Sequence, residues 1–259
     1  NIKYDIIVLK KYGINVKGKL FDTMIAHYLL NPELRHNMDY MAETHLNYKT
    51  IHIDELIGPR GKNQLNMRNL EPIAIRDYAC EDADVTLKLK NILEKEIEKN
   101  DLKKLFYEIE LPLIYVLADM EYTGVLLDTK ALKESSDTLT KNMSDIEQEI
   151  FALADFEFNI NSTKQVGEVL FDRLKIVDKP KKTKTGQYTT SEETLESLKD
   201  VHPIVSKILE YRSLKKLLST YIDALPLLID KHDKKVHTSY NQTVTATGRL
   251  SSSNPNLQN

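Results

Sequence analysis

Apolar residues recur at helical spacing along most of this chain, with little sign of sheet. From Thr129 the positions Leu132, Ser136, Leu139, Met143, Ile146 and Ile150 step by four and three, which predicts a long helix packed along one seam. Ile204, Ile208, Tyr211, Leu214, Leu218, Ile222 and Leu225 form a comparable stripe over residues 203–228, so two long antiparallel arms are expected. In the first hundred residues helices are predicted over 4–12, 22–30 and 37–46, with Asp22 and Asn37 as N-caps and Pro32 just past the second. A short extended stretch is expected around 15–20, and the run GPRGKNQLNMRN over 58–69 has loop composition. Residues 71–98 read as one long helix ended by Asn100 and Asp101. Residues 101–122 read as another that tolerates Pro112 by a kink or restart and stops at Gly124. The fold class is mainly α with small β elements.

At 259 residues the chain exceeds a typical domain of roughly 100 to 200 residues, so two units are expected. No apolar run approaches the roughly 18 to 20 residues that span a bilayer, and the first residues carry no signal-peptide pattern, so a soluble cytoplasmic chain is expected. The single cysteine, Cys80, excludes an intramolecular disulfide and a cysteine-rich zinc site, and its helical neighbours predict a small buried residue. A formal net charge of -3 argues against a uniformly basic DNA binder and leaves room for a local basic patch.

Several short stretches could form such a patch. The run RLKIVDKPKKTKTGQY carries Arg173, Lys175, Lys179, Lys181, Lys182 and Lys184 against Asp178 alone, a basic and mobile tip between the far ends of the arms. NSTK opens a helix whose free amides, with Asn161, Ser162, Thr163 and Lys164, suit a phosphate, and it reads equally well as an ordinary cap. Arg212 and Lys216 lie four apart and share a helix face. Gly248 admits backbone angles closed to other residues, and it stands beside Arg249, whose planar fork of donors suits paired acceptors. Every Watson–Crick pair presents N3 or O2 acceptors in the minor groove, so an arginine there senses pair geometry while staying nearly blind to sequence. Asn256, Gln258 and Asn259 carry donors and acceptors, and Ser251, Ser252 and Ser253 add hydroxyls for phosphates or sugars.

A second constellation lies in YACED, where Tyr78 and Asp82 are four residues apart and share one face of a helix. Two-metal hydrolysis of a phosphodiester needs several carboxylates converging on ions roughly 3.5 to 4 Å apart, with a group that orients the attacking water. Alone, a tyrosine and an aspartate at this spacing are a common surface pattern.

The run HTSYNQTVTATGRLSSSNPNLQN, His237 to Asn259, resembles the template-primer-binding motif of the bacterial DNA polymerase I family, the family-A DNA polymerases. NIKYD, YACEDADVT and the intervening FDTMIAHYLLNPELRHNMDYMAE are similar to the 3′-5′ proofreading exonuclease domain of the same family. The resemblance covers nearly the whole chain. It implies a truncated ribonuclease H-like exonuclease domain over 1–98, lacking its first strands, and a polymerase part over 99–259. Within the latter it implies a helix leading into the palm at 101–123, a helical thumb at 128–232 and the start of the palm at 235–259.

The resemblance also implies roles. Asp5 and Asp82 would be metal ligands, Tyr78 would position water, and Asn1, Tyr4 and Arg35 would lie near a single-stranded 3′ end. Asn161, Ser162, Thr163, Lys164, Lys181, Lys182, Arg212 and Lys216 would follow the duplex backbone, and Arg249, Asn256, Gln258 and Asn259 would meet the primer-template pair. Leu218 departs from the family's frequent lysine, which implies a weaker phosphate contact on that turn. The cofactor implied is a pair of Mg²⁺ ions. The partners implied are primer-template duplex, a single-stranded DNA 3′ end and deoxynucleoside triphosphates, with a monomer in the bacterial cytoplasm at the nucleoid. The family's first exonuclease motif, Asp-x-Glu, is expected before Asn1 and the polymerase aspartates after Asn259, so the chain reads as a fragment with two incomplete metal sites. Two alternatives stand beside this reading. A ribonuclease D-like exonuclease would share the tyrosine and aspartate but has no use for TGRLSSSNPNLQN, and a noncatalytic DNA-binding module has no use for Asp5, Tyr78 and Asp82.

Overall fold

The computed structural model describes residues 1–258. The chain divides into two compact units, one formed by Asn1–Val125 with the segment from His237 onward, the other by Leu126–Val236.

The first unit holds α1 (Ile2–Lys10), α2 (Thr23–Leu30), α3 (Met38–Leu46), α4 (Ile53–Ile57), α5 (Pro72–Lys99) and α6 (Leu111–Thr123). Asp22 caps α2 through Oδ1, which accepts from the Ile25 amide at 2.9 Å, and its Oδ2 accepts from the Ile2 amide at 2.8 Å. One buried carboxylate therefore satisfies orphan donors of two helices. α5 begins at Pro72, where a missing amide costs nothing, and buries Val85, Leu89, Leu93 and Ile97 at four-residue steps. Each such side chain contributes about 1.5–3 kcal/mol by leaving water. α2 and α3 pack on this stripe, and α1 packs on α6.

The first turns of α5, residues 72–84, hold no buried residue. Cys80 lies there and is exposed, contrary to expectation, because the core reaches α5 only from Val85 onward. Helix 101–122 restarts at Pro112 and stops at Gly124, as expected, and is irregular ahead of the restart. Asp101 takes a φ of 56°, a π-helical stretch spans Leu105–Glu110, and α6 restarts with Pro112 in its first turn. The wider turn removes the amide bond that proline lacks. Residues 15–20 are irregular and join no sheet. α4 was not foreseen; it starts at His52, whose ring accepts from the Asp54 amide while Glu55 closes a capping box.

The second unit holds α7 (Thr129–Ala154), α8 (Thr163–Gly167) continuing as a π-helical stretch over Glu168–Arg173, α9 (Glu192–Glu196) and α10 (Pro203–Leu217). α10 continues through a π-helical stretch, Leu218–Ile222. α7 and α10 run antiparallel: Lys207 meets Glu149 at 2.7 Å, whereas Asp223, further along the second arm, meets Ser136, earlier on the first, at 2.8 Å. Ile146, Ile150, Leu170, Leu195, Ile204, Ile208 and Tyr211 form the shared core. Leu218 is 4% exposed, so that position faces the interior rather than a phosphate.

The basic run lies between the two arms. Its chain folds into a small hairpin in which the Thr189 amide donates to the Lys181 carbonyl at 2.9 Å and the Thr183 amide to the Gln187 carbonyl at 2.7 Å. Tyr188 anchors it, packing over Gly167, where a Cβ would lie 2.8 Å from the Tyr188 Cβ, and donating its hydroxyl to Asp172 at 2.5 Å.

In the first unit, β1 (Ser239–Asn241) pairs antiparallel with β2 (Ser251–Ser253), with Tyr240 opposite Ser252. Among the described residues the fold is thus mostly helical with one small two-stranded sheet. Among the described residues no helix is long and apolar enough to cross a membrane.

Candidate nucleic-acid interface

The TGR turn is built from both ends of the first unit. Tyr28 on α2 is 4% exposed, and its hydroxyl donates to the Thr245 carbonyl at 2.8 Å while accepting from the Gly248 amide at 3.1 Å. The Thr245 hydroxyl in turn donates to the Arg249 carbonyl. Gly248 sits at a φ of +74°, a conformation that side chains with a Cβ rarely adopt. The backbone of Arg249 is therefore held on both sides. Its guanidinium is exposed and, among the described residues, makes no hydrogen bond or ion pair.

The hairpin that carries this turn is fixed by charge-assisted contacts. Glu121 Oε1 takes the Lys3 ammonium at 2.5 Å and the Tyr240 amide at 2.7 Å, and Glu110 takes the Gln242 amide group at 2.7 Å. Two of the three serines make internal hydrogen bonds. Ser252 is buried, its hydroxyl 2.8 Å from that of Thr238 and accepting from the Leu257 amide at 3.0 Å, and Ser253 accepts from Asn241 at 3.1 Å. Asn256 and Gln258 are exposed, the former accepting the latter's amide at 2.9 Å. Asn259 lies outside the described residues.

In the second unit the cations divide into free and engaged. Arg212 is half-buried and donates to the Thr190 carbonyl at 2.5 Å and toward its hydroxyl at 3.4 Å, and burial pushes its pKa down. Its guanidinium is thus engaged within the unit. Lys216 is exposed, but the cleft that it lines also holds Glu192, Glu196 and Glu210. Lys181 and Lys182 stand exposed on the hairpin, with the Lys182 ammonium 4.7 Å from the Tyr188 ring centre. At NSTK, Ser162 caps α8 by accepting from the Gln165 amide at 3.3 Å, and Asn161 reaches the Tyr211 hydroxyl at 3.5 Å. Thr163 and Lys164 remain exposed, the latter 3.8 Å from Glu168.

Tyr78 and Asp82 come together on α5. Burial raises the pKa of Asp82, with Glu81 and Asp39 adding to the rise and the Tyr78 hydroxyl opposing it. Burial likewise raises Tyr78, helped by Asp82. Asp82 Oδ1 is buried with no hydrogen-bond partner, which suits a cation ligand. The neighbouring carboxylates have other work: Glu81 accepts from the Tyr48 hydroxyl at 2.6 Å and the Ile51 amide at 2.7 Å, and Asp39 accepts from Thr50 at 2.8 Å. Asp5 is exposed on α1, and no interaction joins it to Tyr78 or Asp82. Among the described residues no group of three His, Cys, Asp or Glu is arranged to hold a metal ion. The residues present therefore do not by themselves fit a pair of Mg²⁺ ions. Asn1 and Tyr4 are exposed at the start of α1, and Arg35 is exposed in the turn before α3.

Sequence reasoning missed Tyr28, Asp39 and Glu81. Tyr28 sits in an apolar helix, IAHYLL, where a tyrosine reads as core, and the carboxylates neighbouring Asp82 carry no spacing signal across two helices.

The family model of DNA polymerase family A matches residues 129–259, and that of 3′-5′ exonuclease matches residues 1–98. The chain belongs to DNA polymerase family A. DNA polymerase I of Chloroflexus aurantiacus is 43% identical across all of this chain, which covers 28% of that protein. DNA polymerase I of Geobacillus stearothermophilus is 42% identical over 98% of this chain and 28% of its own length. The chain thus spans a little over a quarter of the length of these relatives. A solved structure described as the POL domain of Pol1 from M. smegmatis in complex with DNA primer-template and dNTP matches all of this chain and 41% of its own, with a TM-score of 0.80 at 31% identity. A ribonuclease D-like reading accounts for residues 1–98 and leaves the polymerase match over 129–259 unexplained.

Proposed function

We propose that this chain works within a longer DNA polymerase as the segment that grips primer-template duplex. Residues 128–232 act as the thumb and residues 235–259 as the start of the palm, preceded by a connecting helix at 101–123. Residues 1–98 contribute part of a 3′-5′ proofreading site. The observation that carries this reading is Arg249, an exposed and unpaired guanidinium on a turn whose backbone is hydrogen-bonded on both sides. Such a group suits the minor-groove acceptors that every correct pair presents in the same place. Lys181, Lys182 and Lys216, with Thr163 and Lys164, supply sequence-independent attraction to phosphates. The partners are duplex DNA, a single-stranded 3′ end and deoxynucleoside triphosphates, and the enzyme acts as a monomer at the nucleoid. Asp5 and Asp82 are partial ligands for Mg²⁺, Tyr78 stands beside Asp82, and no chemical step is assigned to this chain alone.

The test is single-turnover primer extension by the full-length enzyme. Arg249→Ala is expected to slow extension from a matched end roughly tenfold or more, the scale of a lost 1–3 kcal/mol base contact, while duplex affinity changes little. It is also expected to blunt the penalty for extending a mismatch. An unchanged matched rate would sink the reading.

A further inference from the structure

We infer that Tyr28, a residue of the exonuclease-like segment, is a positioning residue for Arg249; the inference rests on the reading of Arg249 given above. The Tyr28 hydroxyl closes the TGR turn from outside, donating to Thr245 and accepting from Gly248 across separations of 217 and 220 residues. The ring is fixed independently of the turn, being 4% exposed and packed edge-on to His36 with centroids 5.6 Å apart. The turn itself is loosely enclosed. A Cβ on Gly248 would meet nothing within 4 Å, so no packed wall defines the turn's direction. Two hydroxyls do that, Tyr28 from α2 and Thr245 from within the turn.

This arrangement separates direction from stability. The turn is largely exposed, so water can replace the Tyr28 hydroxyl as a hydrogen-bond partner, and its removal costs the fold little. Water does not fix the angle at which Gly248 hands the chain on to Arg249. A residue on the exonuclease-like side thereby sets how the polymerase side presents its minor-groove arginine.

Tyr28→Phe keeps the ring and deletes the hydroxyl. In the 259-residue chain, hydrogen exchange at the Gly248 amide is expected to quicken severalfold with the unfolding midpoint nearly unchanged. In the full-length enzyme, matched single-turnover extension is expected to slow roughly two- to tenfold, the range of one neutral hydrogen bond, with reduced discrimination against a mismatched end. Duplex Kd should stay within about twofold, because the hydroxyl touches only the turn. In an Arg249→Ala background the same change should do nothing more, because there is no guanidinium left to aim. A full rate in Tyr28→Phe alongside a slow Arg249→Ala overturns the positioning role and leaves the reading of Arg249 standing. Equal losses from Tyr28→Phe in both backgrounds overturn it too, as a general structural effect. A silent Arg249→Ala removes the reading of Arg249 and this inference with it.

Discussion

Arg212 donates from Nη1 to the Thr190 carbonyl at 2.5 Å, tying α10 to the chain just ahead of α9. This is a structural task. Arg212→Ala should cost about 1.5–3 kcal/mol, the range for a hydrogen bond to a charged group, and should leave the salt dependence of DNA binding unchanged. Arg212→Lys should recover little, since an ammonium cannot reproduce the planar fork that reaches carbonyl and hydroxyl together. Lys181 and Lys182 should behave in the opposite way. Replacing both with alanine should leave the unfolding midpoint in place and flatten the plot of binding against salt by up to about one unit per lost phosphate contact. Denaturant melts and a salt titration of duplex affinity separate the two behaviours.

Gly124 ends α6 at a φ of +68°, and a Cβ there would lie 2.7 Å from Cε1 of His237. Both the backbone angle and the close ring exclude a side chain. His237 is itself held in place, its Nδ1 2.6 Å from the Glu121 carbonyl, so the ring has little freedom to yield. Gly124→Ala should therefore destabilise the chain by more than about 1 kcal/mol. A shift in urea midpoint at constant slope would measure it.

What the sequence made legible follows from which interactions are local. Asp22 as a cap, the α5 stripe from Val85 to Ile97 and the α7 seam rest on neighbours within one or two turns, and they stand where the pattern put them. The errors came from tertiary choices that periodicity does not carry. Cys80 was assigned from its helical neighbours, yet the core stops short of it, whereas Leu218 is buried as its place in the apolar stripe requires. The hairpin at 181–189 escaped because its anchor, Tyr188 on Gly167 and Asp172, joins segments more than a dozen residues apart. The candidate site divides in the same way. Gly248 beside Arg249 was readable because conformation and chemistry are adjacent in sequence, whereas Tyr28 lies more than two hundred residues away.

His27 carries a pH dependence. It is fully buried, with Nδ1 2.8 Å from His36 Nδ1 and its ring 5.3 Å from that of His45, and Tyr40 packs edge-on to it at 6.2 Å. Burial first, then the two histidines, lowers its pKa from 6.5 to about 4. The folded state thus favours the neutral ring. Its contribution is complete above pH 6.5 and is lost as pH falls from there toward 4, by up to about 3 kcal/mol. His36 is lowered as well and adds to the same slope. His27→Gln should shrink the stability difference between pH 7.5 and pH 5, whatever it does to stability at either pH alone. Urea unfolding at the two pH values reads this difference directly, and an unaltered difference would clear His27 of the effect.

Asp82 carries a stability cost, and under the proposed proofreading role one substitution should move both stability and excision. Burial raises its folded pKa above the ordinary carboxylate value, so the folded chain holds the proton more tightly than the unfolded chain. The resulting penalty is absent at low pH and grows as pH rises through the folded pKa. Asp82→Asn removes the charge, so the variant should unfold at a higher denaturant concentration than wild type at pH 7, and the gap should close toward pH 4. Tyr78→Phe should act the other way at neutral pH, because it deletes the hydroxyl that favours the carboxylate. In the full-length enzyme, Asp82→Asn is expected to abolish excision of a mismatched 3′ end and leave extension nearly intact, since the carboxylate would hold an ion apart from the palm. Tyr78→Phe should slow excision by roughly 10²- to 10⁴-fold, the usual weight of a positioned proton-handling group. A more stable Asp82→Asn chain with unimpaired excision would leave the half-buried carboxylate as a structural flaw without a role in proofreading.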